Sequence, residues 1–350
     1  MHNAKIKINN FICLTVFVTI IFVFMTKPAS PAEKPDFVLK FGTPAPVGTS
    51  WAEIEDEASK KIFERSKGRL KLIWYQGNVM GDEPDTIRKV RVGQLHGGYY
   101  TIMGFAVGVP EMAVLSLPLL FRNYDEVDYV LPRIKSTTVK LFKERGFVFT
   151  GWLEVGFVQL FSKSSNIRTL EDLKDQKLKL WRPPAPPMFA DFFNLVGISG
   201  SIPMPLYDVL MGIQTGMLNT VLPTYYVCIA LQWCSHVKYM NTTPLAYTPG
   251  GGLIDQRAFD SMPKDLQSIL LEELEAHNQK TLKAIREDNE RSLKAITDKG
   301  DIQIINLTEK EKREMEKISW DIYPKLADKH FPKSFFDEIT KYLKEYRGQK

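Results

Sequence analysis

Short apolar runs alternate along the chain with stretches in which apolar positions recur every three or four residues, the mark of strands interleaved with amphipathic helices. Residues 37–41 read as a first strand, a helix capped by Thr49 or Ser50 runs to about Arg65, and residues 69–74 read as a second strand. Beyond Gly81-Asp82-Glu83-Pro84, a helix to Val92 leads into a third strand at 95–100. A second series follows. Residues 124–145 form a long helix bent at Pro132, and 147–153 and 157–162 are adjacent strands crossing between lobes. Strands at 178–181, 201–203 and 219–222 alternate with helices at 188–196 and 206–215. This is an α/β protein with sheets covered on both faces.

The clearest helix spans 263–299, with Pro263 in its first turn, Gly300 past its end and apolar residues at Leu266, Ile269, Leu270, Leu274, Leu282, Ile285, Leu293 and Ile296. At 1.5 Å per residue it reaches roughly 55 Å, enough to brace two lobes. Its charged residues form a solvated face. One internal echo links two halves of the chain. Val92-Gly93-Gln94-Leu95 and Thr215-Gly216-Met217-Leu218 each open an apolar strand, which would place Tyr99-Tyr100 and Tyr225-Tyr226 at comparable strand ends.

The amino terminus carries Lys5 and Lys7, an apolar run from Phe11 to Met25 and a small-residue exit at Ser30-x-Ala32. That run is short for a membrane span, so residues 1–32 are expected to be a signal peptide and the protein periplasmic; an anchor that stays uncut is the rival reading. Cys13 precedes most of the apolar run, unlike a lipidated cysteine. Losing Lys5, Lys7 and Lys27 takes the formal charge from +5 to +2, which proposes no nucleic acid as partner. Cys228 and Cys234 fit neither a zinc nor a redox spacing. Export would permit their disulfide, but on one helix they would face apart, and buried thiols are the preferred reading.

Catalytic signatures are absent: there is no G-x-S-x-G, H-E-x-x-H, Walker loop or G-x-G-x-x-G. The histidines lack ligand spacing; Cys234 and His236 are two apart, which reads as accident before metal site. Gly250-Gly251-Gly252 lacks the lysine and hydroxyl of a phosphate loop and reads as a flexible crossing where backbone passes closely. Glu53, Glu55 and Asp56 read as surface carboxylates. The sequence therefore implies no enzyme and no cofactor. It offers instead Tyr99, Tyr100, Trp152, Phe157, Trp181, Tyr225 and Tyr226 at strand ends, where two-lobed α/β proteins bind ligands; about half are expected to touch one.

The segments Gly77 to Glu83 (GNVMGDE), Arg91 to Leu95 (RVGQL), Leu115 to Phe121 (LSLPLLF), Leu170 to Leu180 (LEDLKDQKLKL), Pro203 to Val209 (PMPLYDV) and Ile213 to Leu218 (IQTGML) with Pro223 together resemble the C4-dicarboxylate-binding receptors of tripartite ATP-independent periplasmic (TRAP) transporters. The resemblance implies a two-lobed periplasmic binding protein fold in which the long helix braces both lobes. It places lobe I at 33–157 plus 245–285 and lobe II at 158–244 plus 286–350. It also implies a receptor that closes on a small organic ligand and delivers it to TRAP membrane permease subunits; the same fold could instead hand its closed form to a membrane sensor.

Family members carry an arginine in the strand after the leucine-lysine segment, and its guanidinium pairs with the ligand carboxylate. Here Trp181 takes that place with Arg182 one position later, while an ungapped count selects Lys179. The asparagine often found before the proline is Leu222. A tryptophan in that strand resembles the branch associated with tetratricopeptide-repeat periplasmic partners, for which hydrophobic cargo has been proposed. The expected ligand is accordingly an acid with a substantial apolar body, held on Trp181. Arg182, Tyr99, Tyr100, Trp152, Phe157, Leu222, Tyr225 and Tyr226 complete the candidate site.

Overall fold

Strands β1 (Phe37–Gly42), β2 (Leu70–Tyr75) and β3 (Gly97–Thr101) are parallel in the order β2-β1-β3. The helices Ser50–Arg65 and Glu83–Arg91 make the connections. Leu39, Phe41, Leu70 and Leu72 are buried and pack with Trp51, Ala52 and Ile62 of the first helix, and Thr49 caps that helix by accepting from the Ala52 N–H. Six further strands follow: β4 (Phe147–Ser162), β5 (Leu180–Arg182), β6 (Ser201–Pro203), β7 (Thr220–Val221), β8 (Tyr239–Asp255) and β9 (Gln303–Ile305). The order across the sheet is β2-β1-β3-β8-β4-β7-β5-β6, with β9 on β8. This computed structural model describes residues 34–349 apart from Gln176. The expected signal peptide, and with it the choice between leader and anchor, lies outside the described residues.

The antiparallel pair β4–β8 organises everything else. At one end, residues 147–153 pair with 250–255, and β8 also pairs with β3 there. At the other, residues 160–162 pair with 239–241, where β7 and β9 join. Each end thus belongs to its own group of strands, and residues 154–158 with 246–249 bridge them. The two-lobed architecture follows from that ribbon.

Three expectations change here. The strands expected at 147–153 and 157–162 are one strand of 16 residues, with register shifts near Gly151 and Gly156. Both glycines have positive φ, +132° and +106°, so the chain bulges without breaking. Gly250 to Gly252 are not a flexible crossing: they lie inside β8, flanked by β3 and β4. Close passage is nevertheless why they are glycines, since a Cβ at Gly251 would strike the Gly151 carbonyl oxygen and one at Gly252 the Thr150 hydroxyl. The long helix at 124–145 is two helices, Tyr124–Arg133 and Lys135–Glu144, meeting at Ile134.

The helix Lys264–Lys299 has 36 residues and ends at Gly300 in the left-handed conformation. It packs against Ser50–Arg65, β4 and the helix Tyr225–Ala230, so it spans both ends of the ribbon. The echo holds at the two turns: Gly93 and Gly216 have φ of +77° and +74°, and the Leu95 and Leu218 N–H groups each reach back to a helical carbonyl, of Lys89 and Gly212. It fails at the tyrosines. Tyr99 and Tyr100 lie in β3, whereas Tyr225 and Tyr226 open a helix capped by Thr224, whose hydroxyl accepts from the Val227 N–H. The cysteines are bridged rather than free: Cys228 and Cys234 form a disulfide with Cα atoms 5.2 Å apart. They do not share a helix, because Tyr225–Ala230 ends and Gln232, at φ +62°, turns the chain back.

Candidate functional site

Where the two strand groups meet, the ends of β3, β5 and β7 and the middle of the β4–β8 ribbon line a cavity of about 140 Å³. Its wall is almost wholly carbon. Ile102, Met103, Pro118 and Leu119 come from the segments after β3; Val155 and Val158 from β4; Trp181 from β5 and Pro183 from just past its end; Phe189, Phe192 and Phe193 from the helix Met188–Val196; and Leu245 from β8. Leu206, Leu222, Pro223 and Val227 close the remaining side. Apolar clefts of this kind at strand ends are where open α/β sheets take ligands.

The polar atoms that reach the wall are mostly committed to the protein. The Trp181 indole N–H donates to the Met204 carbonyl at 2.9 Å. The Ser116 hydroxyl donates to the Tyr247 carbonyl at 2.8 Å, and the Tyr247 hydroxyl to Glu154 at 2.8 Å. Thr101 donates its hydroxyl to Glu83 at 2.8 Å, and Thr224 accepts from Val227 at 3.2 Å. Among the described residues, no arginine, lysine, histidine, aspartate or glutamate lines the cavity.

Two buried carboxylates stand behind this wall. Glu83 is fully buried and accepts from the Thr101 N–H (2.7 Å), the Thr101 hydroxyl and the Gly104 N–H (3.0 Å), fixing the segment that carries Thr101, Ile102 and Met103. Burial pushes its carboxyl up to about 7 against the pull of those donors. Glu154, on β4, meets Arg286 of the long helix at 2.7 Å, and Arg286 also holds Asp128 at 2.6 Å. Burial raises Glu154 above the usual carboxylate range, opposed first by its bond to Arg286.

Of the nine residues singled out by the sequence, Trp181 and Leu222 line the cavity. Trp181 packs edge-on against Trp233, ring centroids 5.4 Å apart. Tyr99 instead stacks with Trp74 (5.1 Å) and His277 (4.6 Å), which themselves lie 6.2 Å apart, in the core around β1. Tyr100 is buried beneath Gly104. Trp152 packs on Phe149 and Phe105, and Phe157 sits behind Tyr247 at 5.4 Å. The alternation of β4, shifted by its bulges, turns Val155 and Val158 inward in their place. Tyr225 packs on Phe161, and the Tyr226 N–H donates to Asn289 of the long helix. Arg182 lies outside the cavity wall with one nitrogen on the Pro183 carbonyl and its Nε buried without a partner; burial lowers its guanidinium from the usual range. Lys179 is exposed and donates to the Gly216 carbonyl at 2.8 Å. Glu55, expected on the surface with Glu53 and Asp56, is fully buried beside Gln76, and burial drives its carboxyl far upward.

Sequence reasoning missed Phe189, Phe192, Phe193 and the stretch from Leu245 to Thr248. A cue was present in the helix Met188–Val196, whose aromatic side chains outnumber what one buried face needs.

A carbon-lined cavity between two strand groups that share a continuous ribbon defines a ligand-binding protein of the two-lobed α/β class. Residues 41–330 match the model of bacterial extracellular solute-binding protein family 7, and the chain belongs to that family. It is 26% identical over 245 residues to the 2,3-diketo-L-gulonate-binding periplasmic protein of Escherichia coli, covering 69% of this chain and 74% of the relative. Among solved structures, the sugar acid binding protein of Advenella mimigardefordensis in complex with galactonate superposes with a TM-score of 0.81 at 18% identity, over 89% of this chain and 99% of the other. A TRAP periplasmic solute-binding protein of Sulfurospirillum deleyianum with bound succinate gives 0.79 at 19% identity, over 87% and 99%. The chain is thus an extracellular solute-binding receptor and not an enzyme. Among the described residues, no helix is long and apolar enough to cross a membrane.

Proposed function

We propose that this receptor takes an organic acid with a substantial apolar body, a fatty or an aromatic acid, and that Trp181 is the platform on which that body lies. One observation carries the reading: among the described residues the cavity wall offers carbon and already-bonded polar atoms, and no cation. The relatives with galactonate or succinate bind ligands dense in oxygen. An unpaired carboxylate or hydroxyl buried in the cavity described above would lose its water without compensation. An apolar chain gains there about 0.8 kcal/mol per methylene.

The lobes are bounded as the sequence suggests, with 33–157 and 245–285 in one and 158–244 and 286–350 in the other. On those boundaries the cavity draws on both: Ile102 and Leu245 from the first, Trp181 and Val227 from the second. A ligand touching both favours the closed arrangement by as much as it binds that arrangement more tightly than the open one. The closed form then serves the permease.

The test is calorimetry on the purified protein with hexanoate, phenylacetate, succinate and galactonate. Hexanoate or phenylacetate is expected to bind at least tenfold more tightly than galactonate. Tighter binding of galactonate would end the reading.

A further inference from the structure

Leu119 lines two cavities. On one side it belongs to the apolar cavity with Pro118 and Leu245; on the other it belongs to an open groove of about 360 Å³ formed with Phe121, Arg122, Thr243, Pro244 and the first turns of the helix Glu309–Leu326. The same two segments run through both. The chain passes from Ser116 and Pro118 at the cavity to Phe121 and Arg122 in the groove, and β8 passes from Thr243 and Pro244 in the groove to Leu245 and Tyr247 at the cavity. At the crossing point the Leu119 N–H is tied to the Leu245 carbonyl at 2.6 Å, and Leu119 is held at φ +64°. Leucine avoids that region of backbone space, and such residues gather at ligand clamps and switches.

Charge in the groove is unevenly spent. Arg122 is engaged by both Glu316 oxygens and Lys312 by Glu309. Arg313 is exposed and, among the described residues, has no carboxylate within ion-pair distance. The inner cavity is also small for its chemistry. At about 140 Å³ it matches an engineered apolar cavity of about 150 Å³ that accepts benzene, so the tail of a long fatty acid would overfill it.

Resting on the ligand class argued above, we propose that the groove is the second chamber of the binding site: a long-chain carboxylate buries its tail in the apolar cavity, passes Leu119 and places its head in the groove opposite Arg313. Leu119 is then the gate between chambers, and the head meets a cation outside the apolar cavity. Head and tail are read by separate parts of the chain.

The experiment compares hexanoate, palmitate and hexadecanol on the wild type and on Arg313→Glu, a surface substitution that leaves the core untouched. On the wild type, palmitate binds more tightly than hexanoate. In Arg313→Glu the ratio of palmitate to hexanoate affinity falls about fivefold, the scale of an exposed charge contact, and hexadecanol does not show that fall. A palmitate to hexanoate ratio unchanged by Arg313→Glu, or an equal fall for hexadecanol, overturns the second chamber while leaving the receptor reading intact. Wild-type protein that binds neither hexanoate nor palmitate overturns both.

Discussion

The Trp181 indole nitrogen donates its hydrogen to the carbonyl oxygen of Met204, 2.9 Å away. The bond ties β5 to the chain just past β6, and it removes the ring's one polar atom from the cavity, so that what faces the cargo is hydrocarbon. A tryptophan with its N–H satisfied in this way is a fixed apolar surface.

Replacing that surface should be costly. Trp181→Ala is expected to weaken binding of an apolar acid on the order of a hundredfold, from the lost contact area. Arg182→Ala, outside the cavity wall, should change it by less than about threefold. Calorimetry of the two variants with the same acid decides it, and the opposite ranking would return the carboxylate clamp to this position.

Tyr207 donates its hydroxyl to the Pro44 carbonyl at 3.0 Å. On the lobe boundaries proposed above these residues stand on opposite lobes, so the bond is expected to break when the lobes part. Tyr207→Phe removes it with little else and should cost about 1 kcal/mol of closure. The expected reading is a ligand-free scattering profile shifted toward a larger radius of gyration and a few-fold loss in affinity. An unchanged profile together with unchanged affinity would show that the latch contributes nothing.

Glu83 and His277 tilt the stability profile in opposite senses. The folded state raises Glu83 from 4.5 to about 7, so its contribution is full below about pH 4.5 and is lost as pH rises toward 7. His277, stacked on Tyr99, is lowered from 6.5 to about 4 by burial; its contribution is full above about pH 6.5 and is lost as pH falls toward 4. Glu83→Gln keeps a group that can accept the two N–H bonds and donate to Thr101. It should therefore remove a decline of the order of 3 kcal/mol between pH 4.5 and 7. Denaturant titrations across that range are the check; parallel profiles for variant and wild type would contradict the assignment.

The Cys228–Cys234 disulfide closes a loop with a sequence separation of 6. Short loops gain least from cross-linking, so reduction should cost about 2 kcal/mol and lower the melting temperature without abolishing folding. A melting curve with and without dithiothreitol measures it.

The sequence announces what depends on local periodicity. The helix Lys264–Lys299 is visible from its apolar stripe and from Gly300, and Trp181 from its place at the end of the strand expected at 178–181. It hides what depends on partners far along the chain. In β4 and β8, residues such as Gly151, Gly156 and Gly252 dilute the alternation that marks a strand, because neighbouring backbones need the room their side chains would take. Glu55 reads as a surface acid because nothing nearby in sequence shows what surrounds it; in the structure it is fully buried, with one carboxylate oxygen accepting from Gln76. Tyr225 and Tyr226 mirror Tyr99 and Tyr100 in letters only, since Thr224 starts a helix one residue ahead of them.

Because β4 and β8 run without interruption through both groups of strands, the receptor has no seam along which it could be divided. A graft of one half from a relative with different cargo would have to cut both strands inside the cavity wall, at Val155 and Ala246, through the very residues whose shape sets the preference. New specificity in this scaffold must therefore arise by changing side chains one at a time, not by shuffling modules.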